Sequence, residues 1–139
     1  MLLVARKSRS EPKIAGYILI YVHKLSARIY SLAVHPDFQG HGAAKTLLEN
    51  ALEKLTCTDI STVKLEFRKS NIRLKKLYES FGFKQKVVLE DYYGDHEAAI
   101  SMSLTHNRFK HITTNENLNG LTQHYFLTES RIQGIHLPN

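Results

Sequence analysis

The stretch Val34-His35-Pro36-Asp37-Phe38-Gln39-Gly40-His41-Gly42-Ala43-Ala44 runs from a strand-like segment into a helix-like one, with small residues at Gly40, Gly42, Ala43 and Ala44. Small side chains let a ligand approach the backbone closely. A helix that starts there aims its unpaired N–H groups and the positive end of its dipole at that ligand. These are the properties of an anion site suited to a pyrophosphate, although a turn that only starts a helix has the same composition. The stretch lacks the lysine and the G-x-x-x-x-G-K-[ST] spacing of a P-loop, which disfavours nucleotide hydrolysis. Three further side chains have types that do chemistry: Glu66 on the polar face of a strand, Asn71 at the start of a helix and Tyr78 within it. A carboxylate can take a proton and a phenol can give one. A solvated strand glutamate, a helix-capping asparagine and a packed tyrosine look the same in sequence.

The elements that would position these groups follow from periodicity. Ile14 to His23 is rich in β-branched and aromatic residues and reads as a strand, with Leu3 to Ala5 as a short strand before it. Arg28 to His35 is another strand, stopped at Pro36. Ala44, Leu47, Leu48, Ala51, Leu52 and Leu55 follow the spacing of one apolar helix face. Thr62 to Arg68 alternates, with Val63, Leu65 and Phe67 on one face and Lys64, Glu66 and Arg68 on the other. Leu74, Leu77, Tyr78 and Phe81 mark a second helix over Asn71 to Phe81, ended by Gly82. Phe83 to Glu90 and Ala98 to Leu104 are strands around the polar loop Asp91–Glu97. The order is β-β-β-α-β-α-β-β with a polar tail that holds one more strand candidate, His124 to Thr128. The strand–helix–strand unit at the centre implies a right-handed crossover and locally parallel strands.

Composition narrows the function classes. The chain has 139 residues, enough for one domain, with 42% hydrophobic and 23% charged residues. No run of about 18 apolar residues is present to span a membrane, and the start has no signal-peptide core; a cytoplasmic address is the default. The single Cys57 fits a reducing compartment and reads as structural. The net charge of +6 is concentrated between Lys64 and Lys86, where eight basic side chains accompany only Glu66 and Glu79. Such a cluster suits a phosphorylated small molecule or nucleic acid, or is a solvated face. The eight histidines are scattered, without metal-ligand spacing, so no metal is expected. His35 and His41, beside the glycine loop, read as surface residues.

In context, Gln39-Gly40-His41-Gly42-Ala43-Ala44 resembles the Q/R-x-x-G-x-G/A acetyl-CoA-binding motif of the GNAT superfamily of N-acetyltransferases. The preceding Leu32 to Phe38 resembles the exit of that family's central strand. A second signature follows in order: Asn71, then Leu77-Tyr78-Glu79-Ser80-Phe81-Gly82-Phe83. The resemblance covers residues 14–104. Within the superfamily the RimI-type N-terminal acetyltransferases are most similar, through Leu65-Glu66-Phe67-Arg68 and Asp91-Tyr92-Tyr93-Gly94-Asp95-His96-Glu97-Ala98-Ala99. The sequence has Glu97-Ala98-Ala99 where such relatives carry Glu-Asp-Ala.

The resemblance implies an α/β (α+β) fold, a mixed central sheet around a βαβ coenzyme-binding core, with residues 1–104 as the transferase core and 105–139 as an extension. It also implies that the family's N-terminal strand and helices, which form one wall of the acceptor cleft, are missing. It assigns Gln39, Gly40, His41, Gly42, Ala43 and Ala44 to the coenzyme pyrophosphate. Main-chain groups of Leu32 and Val34, on a locally splayed strand, would hold the pantetheine arm, and Asn71 would contact the coenzyme. Glu66 matches the general base and Tyr78 the general acid. Tyr92 and Tyr93, with Asp91 and Asp95, would recognise the peptide amino terminus, the acidic run attracting a cationic amine. The expected cosubstrate is acetyl-CoA and the expected acceptor a protein N-terminus. A small-molecule amine and a non-catalytic coenzyme-binding module are the competing readings; nucleic acid is not expected as a direct ligand. The tail strand is expected to cover a sheet edge, within the chain or across a homodimer.

Overall fold

A computed structural model describes residues 1–8, 10, 13–105 and 125–130 of the chain. Its strands are β1 (Leu2–Arg6), β2 (Ile14–His23), β3 (Ser26–Val34), β4 (Thr62–Arg68), β5 (Lys84–Leu89), β6 (Ala99–Thr105) and β7 (Phe126–Ser130). Helix α1 spans Ala43–Thr56 and α2 spans Ile72–Ser80, and a single 3-10 turn at Pro36–Phe38 follows β3. The seven strands form one sheet in the order β5-β6-β4-β3-β2-β1-β7. Only β3 and β4, the pair joined through α1, are parallel; the other described pairings are antiparallel.

The apolar stripe read from sequence is the face that α1 buries: Ala43, Leu47, Leu48, Ala51, Leu52 and Leu55 are all buried. They join Leu3, Ala5, Ile18 and Ile20 from β1 and β2 in one core cluster. Leu48 is 0% exposed, so truncation to alanine would cost about 3 kcal/mol through lost contacts and the cavity left behind. From β4 the alternation sends Val63, Leu65 and Phe67 into this core and leaves Lys64 and Arg68 outside. Tyr78 of α2 packs between Phe67 and Phe83, with ring centroids 5.8 and 5.4 Å away.

The tail strand begins at Phe126 and runs to Ser130, two residues later than its sequence reading; His124 lies outside the described residues. It pairs antiparallel with β1, Leu3 opposite Glu129 and Ala5 opposite Leu127, and so covers that edge within the chain. Lys54 at the end of α1 reaches Glu129 at 2.9 Å.

Candidate functional site

The site is a fork between two parallel strands. β3 and β4 keep register only from Ser26 opposite Thr62 to Ile29 opposite Leu65, yet β3 continues to Val34 and β4 to Arg68. The divergence coincides with a bulge. Leu19 of β2 faces Ser31, whereas Ile20 faces Ile29, so Tyr30 is the extra residue on β3. A bulge bends and twists its strand, and here it turns β3 away from β4 where the helix-linked pair would otherwise remain closed. Two cavities open into the fork. One, of about 370 Å³, lies towards α1 and the glycine loop. The other, of about 350 Å³, lies towards Glu66, Tyr78 and Tyr93. Leu32, Asn71 and Leu74 line both, so the two adjoin at the fork.

The first cavity is built from main chain. Gly40 and Gly42 have φ of 79° and 81°, left-handed values that favour glycine. Space around both is open: a Cβ built at either meets nothing within 4 Å. Gly42 is the N-cap of α1 and uses no side chain as a cap, so the first N–H groups of the helix are left for a ligand. Gln39 does not point at an anion. Its Nε2 donates to the Val34 carbonyl at 3.1 Å, bracing the loop and occupying one of the main-chain groups expected to hold the pantetheine arm. Lys45 and Arg73 line the cavity beside the loop and bring positive charge to it. A pyrophosphate-bearing coenzyme fits this donor set: open backbone around two glycines, a free helix start and two cations.

The second cavity is built from side chains. Glu66, 17% exposed, is ion-paired with Arg28, its Oε2 lying 2.7 Å from Nη2. The Tyr78 ring is buried; its hydroxyl hydrogen-bonds to no described residue, and no buried polar side-chain atom among them is unsatisfied, so the hydroxyl is open to the cleft. Burial pushes its phenol well above the ordinary value, so it holds its proton throughout the working range. Tyr93 lines the same cavity, its phenol also raised, mainly by burial. The Tyr93 ring lies under the Arg68 guanidinium, 4.2 Å from the centroid, and packs edge-on against Tyr92. Arg68 in turn binds Asp95 at 2.7 Å and Glu97 at 2.9 Å. Glu97 also accepts from the Ser70 N–H at 2.9 Å and from the Ser70 hydroxyl. The Ser70 hydrogen bonds, then Arg68, hold the Glu97 carboxyl down at about 2.

Most of the residues singled out in sequence therefore line the fork, and four do not: His41, Asp91, Asp95 and Tyr92, the last of which is joined to the site through the Tyr93 ring and the Arg28 guanidinium. His41 does not line either cavity; its carbonyl accepts from the Tyr125 hydroxyl at 3.4 Å. Asp91 pairs with His96, and Asp95 is taken by Arg68, so the acidic run stabilises its own loop instead of facing the acceptor cavity. Asn71 has both of its readings at once. Its Oδ1 caps α2 at the Leu74 N–H, 3.1 Å away, and the residue lines both cavities. Sequence reasoning missed Arg28, Lys45 and Tyr125. The first two are charges whose direction depends on strand register or helix phase, and Tyr125 lies far away in the chain. Among the described residues no cluster of His, Cys, Asp or Glu is suited to a metal.

Comparison with known proteins agrees with this architecture. The family model described as the Acetyltransferase (GNAT) family matches residues 2–83. A "[Ribosomal protein bS18]-alanine N-acetyltransferase" from Salmonella typhimurium is 35% identical over 101 residues, covering 70% of this chain and 68% of that protein. The crystal structure of the ribosomal-protein-S18-alanine N-acetyltransferase from Escherichia coli superposes with a TM-score of 0.65 at 34% identity, covering 69% of this chain and 64% of the other. A chain of the NatC complex bound to Gag peptide and CoA superposes with a TM-score of 0.64 at 28% identity, covering 73% and 67%. The chain thus spans about two thirds of the length of these proteins.

Proposed function

Because the chain belongs to the GNAT acetyltransferase family, we propose that it moves the acetyl group of acetyl-CoA to the α-amino group of a protein N-terminus in the cytoplasm. The observation that carries this reading is the fork itself, with a backbone anion cradle on one side and a carboxylate and a phenol on the other. Similarity to N-terminal alanine acetyltransferases supports the choice of acceptor.

The coenzyme supplies an acetyl group activated as a thioester. Gly40, Gly42, Ala43 and Ala44 would receive its pyrophosphate through main-chain N–H groups, with Lys45 and Arg73 adding charge. Unpaired main chain of β3 around Leu32, together with Asn71, would line the path of its arm into the fork. Preorganised donors of this kind need no rearrangement when charge develops, which makes them a large catalytic contribution.

Glu66 accepts the proton that the acceptor ammonium must lose before it can attack, directly or through a water. An α-amine has a pKa near ~7.8 and a lysine side chain near ~10.4. At pH 7 roughly one α-amine in ten is already neutral, against fewer than one lysine in a thousand. A modest base therefore suffices for an N-terminus. Tyr78, which lines the same cavity as Glu66, would serve the leaving sulfur. A phenol whose proton is held so firmly acts by donating a hydrogen bond there, full transfer to a thiolate of pKa near ~8.5 being uphill. Tyr93, which lines this cavity, and Tyr92 packed against it would form the wall for the first residues of the acceptor.

The reading is tested by incubating the protein with acetyl-CoA and three acceptors, followed by mass spectrometry: a peptide with a free N-terminal alanine, an N-blocked peptide with an internal lysine, and spermidine. Acetylation of the free N-terminus is the expected result. Modification of spermidine or of the lysine in its place would overturn the acceptor assignment.

A further inference from the structure

Glu66 does not stand alone at the mouth of the fork. Arg28 of β3 is opposite Lys64 in the ladder, two residues before Glu66 on the same strand face, and its side chain reaches forward to the carboxylate. The Nη2 atom that is ion-paired with Glu66 Oε2 at 2.7 Å donates a hydrogen bond to the Tyr92 hydroxyl at 3.3 Å. One guanidinium nitrogen thus joins β3, β4 and the 90–98 loop at the place where pairing between β3 and β4 ends. The Glu66 side chain is sheltered, at 17% exposure, and the Arg28 side chain is half open, at 48%. Glu66 Oε1 makes no hydrogen bond to any described residue.

We propose that Arg28 is a positioning residue for acetyl transfer, fixing Glu66 through Oε2 so that Oε1 faces the cleft as the proton acceptor. The proposal rests on the acetyl-transfer reading above. In the step it serves, an N–H bond of the acceptor ammonium breaks, an O–H bond forms at Oε1, and the nitrogen lone pair becomes free to attack. A carboxylate on a free side chain samples several rotamers. One held at a single oxygen presents the other in one direction, and proton transfer depends steeply on that alignment. The same nitrogen holds Tyr92, so the orientation of the base and the position of the acceptor-side loop are set together. An ion pair whose cation is half exposed contributes little to stability, and its effect is expected in turnover, not in melting temperature.

The test uses the full chain, acetyl-CoA and a short peptide with N-terminal alanine, comparing wild type with Arg28→Ala and Arg28→Lys. Arg28→Ala should lower kcat about tenfold or more and leave KM for acetyl-CoA and the melting temperature unchanged. Guanidinium ion at low millimolar concentration should restore much of the loss. Arg28→Lys, whose single ammonium can reach both Glu66 and Tyr92, should retain most of the activity. Unchanged or increased kcat in Arg28→Ala would overturn the proposal, the increase meaning that Arg28 competes with the amine. Equal losses in Arg28→Ala and Arg28→Lys without guanidinium rescue would overturn it as well. If the wild type itself fails to acetylate the peptide, the acetyl-transfer reading falls and this proposal falls with it, an outcome distinct from a failure confined to the variants.

Discussion

On the β3 side of the fork the groups that face a ligand are mostly main chain: the N–H groups of the glycine loop, the start of α1 and the strand edge left unpaired after Ile29. On the β4 side they are side chains from distant parts of the sequence, Glu66, Arg68, Tyr78 and Tyr93, with Arg28 of β3 and Tyr92 joined to them by an ion pair, a hydrogen bond and a ring contact. A main-chain site depends on conformation and tolerates changes in most side chains. A side-chain site depends on each partner, so single substitutions should remove it piece by piece. The two sides should therefore fail separately.

The largest separation is expected from Glu66→Gln. The amide keeps the shape of the carboxylate and removes the proton acceptor, so kcat should fall by roughly a hundredfold or more, measured by initial rates of peptide acetylation. Next in size is Lys45→Glu on the opposite side. It reverses a charge lining the coenzyme cavity and should weaken acetyl-CoA binding by about tenfold at low salt, less at high salt, with kcat at saturation little altered. A salt series of binding titrations reads this directly.

Acid should act on the β4 side alone. The Glu97 carboxyl is held near 2, against an ordinary value of 4.5, by Ser70 and then Arg68. A depressed carboxyl adds stability that is fully present above about pH 4.5 and is lost as pH falls towards about 2. Tryptic nicking within the 90–98 loop is not informative there, so the reporter is chemical-shift or tyrosine-fluorescence change at Tyr92 and Tyr93. In the wild type this change is expected between those limits; in Glu97→Gln it should already be present at neutral pH. The smallest effect is expected at Tyr125. Its hydroxyl meets the His41 carbonyl at 3.4 Å, a long hydrogen bond between the tail strand and the glycine loop. Tyr125→Phe should raise the dissociation constant for acetyl-CoA about twofold without altering kcat.

The same contrast decides what was legible in the sequence. The apolar stripe of α1 and the alternation of β4 are periodic, and both elements form where periodicity puts them. Gly40 and Gly42 were legible because their site is conformational, and a left-handed backbone leaves a mark in residue type. Tyr78 was legible through a motif, although its packing between Phe67 and Phe83 is as much a core role as a functional one. The acidic run was misread in direction. Asp91 and Asp95 look free in a list of residue types, but Asp91 is paired with His96 and Asp95 with Arg68. Arg28 left no local signal at all, since its meeting with Glu66 depends on the register of a parallel ladder and on the bulge at Tyr30, neither of which is written in the spacing of charges.

The central claim, that coenzyme is held by backbone and acceptor chemistry by side chains, is tested most directly by calorimetric titration of acetyl-CoA into wild type, Gly42→Glu and Glu66→Gln. Gly42 has φ of 81° with open space around its missing Cβ. A glutamate there strains the loop and places a negative charge in the anion cradle without a clash that would unfold the chain. The expected result is equal saturable binding by wild type and Glu66→Gln and none by Gly42→Glu. Binding by Gly42→Glu with wild-type affinity, or its loss in Glu66→Gln, would contradict the account.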